Sequence, residues 1–311
     1  MATHTPIDLL GLDWGTTHRR AYALDGAGQC QLEHADDQGA LACQGRFPEA
    51  LAALLQQLQL RPRAIVLSGM VGSALGWQVV PYVDGQVALG ALRQHVQAVA
   101  DTGAFALPPV AIVPGYCVRD AAGAPDVMRG EETQLLGAHC LGHSDGWFVL
   151  PGTHSKWVEL RAGRVAQLRT FMTGELFDLL GRHGTLAAAA GVAAPVWDDA
   201  AFAAGVQAAQ RGAALSQQLF ACRARVVCGD MAPTSSRAYL SGLLIGTELH
   251  AVRQAQAASA GPLGCKLLGA PALAAHYTRA AAQLGLQLQV LDAHAAFIAA
   301  LHHLNPNRTP A

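Results

Sequence analysis

Three short segments bring together residue types that handle phosphate. In LGLDWGTTHRR, residues 10–20, an apolar run from Ile7 ends on Asp13, turns through Gly15 and continues into Thr16, Thr17 and two arginines. A carboxylate, a glycine and two hydroxyls at the end of a buried strand place metal-facing and phosphate-facing groups together, which suits a nucleoside triphosphate with its magnesium. The same residues also suit an ordinary hairpin in which Asp13 and Gly15 only form the turn. PGTHSKW, residues 151–157, supplies a second Gly-Thr pair, Gly152 and Thr153. Between the two segments, Gly130, Glu131, Glu132 and Thr133 open a helical pattern, where acids answer the helix dipole.

These groups need a scaffold. Strand signals at residues 7–13, 19–24 and 28–34, separated by turn residues such as Asp25 and Gly26, predict a three-strand meander around the first Gly-Thr turn. Residues 48–60 carry helical periodicity, and 64–67 form a short apolar strand that runs into SGMVGS. A strand ending in a loop of small residues is where α/β sheets place ligands. Residues 110–113 read as a buried strand, 114–126 as loop and 130–141 as a helix. A second meander follows at 146–150, 155–160 and 164–169, again with a Gly-Thr turn after its first strand. The rest reads as helices near 174–190, 199–211, 234–257, 271–284 and 292–304, with strands at 266–268 and 287–291. The repetition predicts two related lobes, each offering a hairpin to a polyphosphate. The expected boundaries are 1–127, 128–291 and a C-terminal helix over 292–311 that can return to the first lobe.

Composition narrows the function classes. A chain of 311 residues is long enough for two domains. With 14% charged residues and a formal net charge of −1, it has no electrostatic footprint for nucleic acid or an anionic membrane, so the expected partners are small molecules. The 7 cysteines are an odd set without a Cys-x-x-Cys pair, which argues against a disulfide framework or a zinc site and fits a reducing cytosol. MATHTPID lacks the features of a secretory signal, and the apolar stretches at 186–196 and 240–246 are too short to span a bilayer, so a cytoplasmic location is expected. A homodimer is compatible with the sequence and not required by it.

Asp13-x-Gly15-Thr16-Thr17 followed by a later Gly-Thr turn resembles the actin, hexokinase and heat-shock-protein ATPase superfamily, with Pro151 standing where an aspartate is common. Taken in order with SGMVGS, Gly76 and Trp77, MRGEETQLLGA, PGTHSKW, TFMTGELF (170–177) and LSGLLIGTEL (240–249), the chain resembles the 2-dehydro-3-deoxygalactonokinase family over almost its whole length. That resemblance implies an α/β fold of two ribonuclease H-like lobes, the actin-like ATPase and sugar kinase fold, with a central ATP cleft. It also implies transfer of phosphate from ATP to the 6-hydroxyl of 2-dehydro-3-deoxy-D-galactonate in galactonate catabolism.

Phosphoryl transfer needs charge neutralised on the phosphates, an in-line alcohol and often a carboxylate to take its proton. The resemblance assigns Asp13 to magnesium, held through water, and Gly15, Thr16, Thr17, Gly152, Thr153 and Lys156 to phosphate. Arg19 and Arg20 alternate along a strand, so only one can join them, and Arg19 is the one expected to do so. Related sugar kinases carry the base in a Gly-Asp-Gln stretch, and Glu131 aligns best with it. Glu132 is the other candidate, pointing about 100° away on a helix. The keto acid's carboxylate calls for a cation, Arg129 or Lys156, and Gly72, Ser73, Trp77 and His154 complete the expected substrate set. The resemblance also implies a strand and glycine turn into a helix on the adenine side, which Gly269 and Ala270 fit, although a plain β-α turn explains the same residues. Thr173, Gly174 and Glu175 are expected to cap a helix, and Ser241 and Gly242 to face a neighbouring helix. Two alternatives stay open: a kinase of another sugar acid or sugar on the same fold, and a non-catalytic nucleotide- or sugar-binding regulator.

Overall fold

A computed structural model describes residues 6–191, 194, 196–256 and 264–308. The first apolar run forms β1 (Leu9–Trp14) and folds back through β2 (Arg19–Leu24) and β3 (Cys30–Asp36) as an antiparallel meander. α1 (Phe47–Gln57) follows, with Phe47, Leu51 and Leu54 buried in the same core as Leu10, Leu12 and Trp14. β4 (Ala64–Gly69) lies parallel to β1, with Asp13 beside Ser68 and Trp14 beside Gly69. The chain continues through β5 (Val83–Asp84), β6 (Gln97–Ala98), β7 (Val110–Ile112), β8 (Tyr116–Arg119), β9 (Pro125–Met128) and α2 (Glu131–Cys140). Its main sheet has the order β3-β2-β1-β4-β7-β6, and β5-β8-β9 form a small second sheet. Residues 114–126, expected as loop, therefore contribute two strands. Pro114, Gly115, Gly123 and Pro125 read as breakers, but the pairing of Tyr116 with Met128 and Arg119 with Pro125 makes the segment a hairpin.

The second half repeats the plan. β10 (Gly146–Leu150), β11 (Ser155–Arg161) and β12 (Arg164–Phe171) lead into α3 (Thr173–Arg182), α4 (Gly184–Ala190), α5 (Asp199–Ala209), α6 (Leu215–Val227) and α7 (Ser236–Gln256). β13 (Gly264–Leu267), α8 (Pro271–Gln283), β14 (Gln287–Val290) and α9 (Ala293–Leu304) complete the chain. The sheet order β12-β11-β10-β13-β14 repeats β3-β2-β1-β4-β7, with the fourth and fifth strands parallel to the first in both sheets. This is the ribonuclease H-like order, present twice, and the fold is the two-unit α/β architecture of actin-like ATPases and sugar kinases. The helix expected over 174–190 is two helices, because His183 is extended (φ −130°, ψ 157°) and Gly184 follows with φ +76°. α6 was not anticipated, although Leu215, Leu219, Cys222 and Val226 recur at helical spacing.

The chain divides into two compact units, Met1–Asp145 with Val158–Leu168 and Leu291–Ala311, and Gly146–Trp157 with Arg169–Val290. In the first unit α9 packs closely on the sheet and on α2: a Cβ on Gly11 would meet Leu301, and one on Gly137 would meet the Ala296 carbonyl. In the second unit, Gly205 and Gly242 bring α5 and α7 into backbone contact, as expected for the small-residue face. Among the described residues no helix is long and apolar enough to cross a membrane.

Candidate active site

In the first unit, the ends of β1 and β4 and the start of α2 converge. Gly69 and Gly130 both have positive φ, +93° and +108°, and a Cβ on Gly130 would lie 3.3 Å from the Gly69 Cα. Side chains would strain both turns, so glycine lets the helix start sit against the strand end. Ser68 on β4 reaches Thr133 on α2 through a hydroxyl contact of 2.6 Å. Asp13, one strand over from Ser68, thus shares this edge with Glu131 and Glu132. Its carboxyl is held above the usual range by burial, against the opposing pull of Arg20, whose Nη1 lies 3.9 Å from Oδ2.

Thr16, Thr17 and His18 are exposed at the tip of the first hairpin. A separate segment supports that tip from behind: the Ala40 and Leu41 amides donate to the carbonyls of Gly15 and Thr16, and the Trp14 indole donates to the Gln38 carbonyl. A Cβ on Gly39 would collide with Thr17 backbone. Arg19 does not join the phosphate groups. It is buried over the Trp14 ring, donates to Asp36 at 2.6 Å and to the Ala50 carbonyl at 3.1 Å, and strand alternation leaves the exposed Arg20 beside Asp13 instead.

The two acids have different surroundings. Glu132 is fully buried, accepts from the Gly130 amide at 2.6 Å and from Thr133 Oγ1 at 3.1 Å, and its carboxyl is pushed up to about 8 by burial and by Glu131. Glu131 is half-buried and accepts from the Arg129 amide at 3.0 Å. Arg129 stacks on the Tyr82 ring at 4.3 Å and donates from Nη2 to the Val80 carbonyl at 2.7 Å. Its Nε and Nη1 are buried with no hydrogen-bond partner. A Cβ on Gly72 would sit 2.7 Å from that Nη1, so the glycine makes room for the guanidinium. Ser73 and Trp77, also expected at substrate, are engaged locally: Ser73 Oγ donates to the Met70 carbonyl, and Trp77 stacks on Phe47 and donates to the Asp101 carbonyl.

In the second unit the hairpin between β10 and β11 carries Gly152, exposed Thr153 and His154. It rests on the start of α3. The Glu175 amide donates to the Thr153 carbonyl at 2.9 Å, His154 pairs with Glu175 at 2.5 Å, and a Cβ on Gly174 would clash with the Gly152 carbonyl. Lys156 is buried and donates to Thr170 Oγ1 at 3.1 Å. Gly269 sits beside the hairpin, since a Cβ there would lie 3.2 Å from Pro151 Cδ, and Ala270 precedes α8.

The chain matches the sequence profile of the family described as 2-keto-3-deoxy-galactonokinase over residues 13–304. The chain belongs to that family. The 2-dehydro-3-deoxygalactonokinase of Escherichia coli (strain K12) is 32% identical over 298 residues, covering 95% of this chain and 96% of that one. A crystal structure of a candidate 2-dehydro-3-deoxygalactonokinase from Sinorhizobium meliloti superposes with a TM-score of 0.84 at 34% identity, covering 94% of each chain.

Within this family member, one carboxylate was invisible as such in the sequence. Glu248 on α7 is 1% exposed and accepts from Ser155 and Trp157 on one oxygen (both 2.6 Å) and from Thr173 and Tyr277 on the other (2.5 and 2.8 Å). Burial raises its pKa while the four donors oppose that shift. Thr173 therefore does not cap α3, and its hydroxyl ties the helix start to Glu248 of α7, which in turn holds Ser155 and Trp157 of β11. The only sequence signal was a charged residue inside the apolar LSGLLIGTEL run, where a buried acid needs partners.

Proposed function

We propose that the chain is an ATP-dependent sugar-acid kinase that phosphorylates the 6-hydroxyl of 2-dehydro-3-deoxy-D-galactonate. The observation that carries the substrate class is Arg129. A half-buried guanidinium with two buried, unpartnered nitrogens is costly, and a carboxylate is the ligand chemistry that matches it. Arg129 then anchors the acid end of the substrate, with Gly72 leaving space for the guanidinium.

Glu131 takes the proton of the 6-hydroxyl as its oxygen bonds to the γ-phosphorus and the bond to ADP breaks. Glu131 is preferred to Glu132 because it is half-buried, whereas every oxygen of Glu132 is enclosed by Gly130, Thr133 and Ser68. Gly15, Thr16, Thr17, Gly152 and Thr153 serve the phosphates, and exposed Arg20 takes the role first given to Arg19. His154 and Lys156 orient the second hairpin through Glu175 and Thr170. Asp13 suits magnesium held through water, since a single carboxylate at a strand end is the usual protein share of such a site. The ion would offset phosphate charge. Use of ATP and the seven free cysteines favour the cytoplasm.

The test is ATP consumption against a panel of 2-keto-3-deoxy acids and common hexoses. Turnover with the galactonate-derived acid is expected. Turnover confined to hexoses would remove the role of Arg129, and turnover with only the gluconate-derived epimer would move the assignment to that acid.

A further inference from the structure

Glu248 of α7 takes no part in the reaction above, yet the second unit buries it among four hydrogen-bond donors. A buried carboxyl group costs free energy that an apolar side chain in the same place does not, so its partners need a reason. Ser155 and Trp157 lie two apart on β11, face the same side of the sheet and reach one oxygen. Thr173 of α3 and Tyr277 of α8 reach the other. The Tyr277 hydroxyl also lies 3.2 Å from Ser155 Oγ, which closes the group into one network. The segments that meet at Glu248 also border the Gly152–Thr153 turn. Ser155 stands two residues past the exposed Thr153. Thr173 directly precedes Gly174, where a Cβ would clash with the Gly152 carbonyl, and the Glu175 amide donates to the Thr153 carbonyl. α8 begins just after Gly269, where a Cβ would lie 3.2 Å from Pro151 Cδ.

We propose that Glu248 is a positioning residue for the phosphoryl donor: through Ser155 on one oxygen and Thr173 on the other, it fixes the strand that leaves the Gly152–Thr153 turn and the helix start that backs it. The inference rests on the kinase reading above, which gives that turn to phosphate, and adds the residue that holds it in place. A fully satisfied buried network specifies one geometry more sharply than apolar packing does. The phosphate contacts need that precision, since displacement by about 1 Å can cost about 10²-fold in rate.

The experiment measures KM for ATP and for the sugar acid by steady-state kinetics, and the affinity of inorganic tripolyphosphate by calorimetry, all on the full chain. Glu248→Leu is similar in size and removes both oxygens. It should raise KM for ATP and weaken tripolyphosphate by about 100-fold, with KM for the sugar acid within about threefold of wild type. Glu248→Gln should bring KM for ATP back to within about fivefold, because its oxygen accepts from Trp157 and its amide donates to the Thr173 and Tyr277 hydroxyls. Ser155→Ala and Thr173→Val each remove one partner, on different oxygens, and each should raise KM for ATP by about tenfold. Combined, they should raise it by less than the product, because both act through one carboxyl group. A role in folding alone would lower the melting temperature and leave KM for ATP unchanged. That result in Ser155→Ala and Thr173→Val overturns the proposal, even where Glu248→Leu does not fold. If the wild type phosphorylates no keto-deoxy acid, the kinase reading falls by itself. Tripolyphosphate affinity then decides the role of Glu248: weaker binding in these two variants supports it, and unchanged binding overturns it.

Discussion

Glu132→Gln should stabilise the protein at neutral pH and leave it competent in catalysis. Burial and Glu131 move the Glu132 carboxyl from 4.5 to about 8. Below pH 4.5 the group is protonated in folded and unfolded chains alike and costs nothing. Between pH 4.5 and about 8 only the folded chain keeps the proton, so stability falls by about 1.4 kcal/mol per pH unit, and above about 8 the full penalty is present. At pH 7 this comes to about 3 kcal/mol. A glutamine amide needs no proton and preserves the contacts: its oxygen accepts from the Gly130 amide and its nitrogen donates to Thr133 Oγ1, as a protonated carboxyl does. Urea unfolding of both proteins at pH 4.5 and pH 7 should therefore show a gain of about 3 kcal/mol for the variant at the higher pH and none at the lower. In parallel, Glu131→Gln should lower kcat by about 10²- to 10⁴-fold while Glu132→Gln stays within a fewfold of wild type. A stability difference that does not change with pH, or equal loss of kcat in the two variants, would refute the division of labour between the acids.

Arg129→Lys should raise KM for the sugar acid by about 30- to 100-fold with a smaller effect on kcat, because an ammonium does not reproduce the guanidinium's fixed donors. An unchanged KM in initial-rate kinetics would remove Arg129 from the substrate. Gly174→Ala places a Cβ 2.3 Å from the Gly152 carbonyl and should displace the second hairpin, raising KM for ATP at least about tenfold with an unaltered far-UV spectrum. Glu248→Ala leaves four donors without an acceptor and should cost about 3–5 kcal/mol in urea unfolding. Glu248→Gln should cost less, since three of those donors are hydroxyls that can reverse their bonds.

Local pattern carried much of the architecture. Short apolar runs and turn residues marked both meanders, and the Gly-Thr turns marked the duplication, because strand burial and tight turns each restrict residue type over a few neighbouring positions. β8 and β9 escaped because their stability comes from pairing with each other across Asp120 and Gly123, which no periodicity of either segment reports. Glycines 11, 39 and 137 were equally silent, and Gly174 read only as part of a helix cap, since each matters for a chain segment that arrives from far along the sequence.

The sequence by itself determined that Asp13, Gly15 and Thr16 stand at a strand end, that Gly152 and Thr153 repeat the turn, and that an acidic pair opens α2. Side-chain type and spacing suffice for those statements. Only the tertiary structure decided that Arg19 serves Asp36 while Arg20 faces Asp13, that Glu132 is sealed and Glu131 is not, and that Arg129 keeps two donors unpaired. Each of those outcomes depends on which distant groups surround a side chain, and burial and hydrogen bonding are set by packing across the fold.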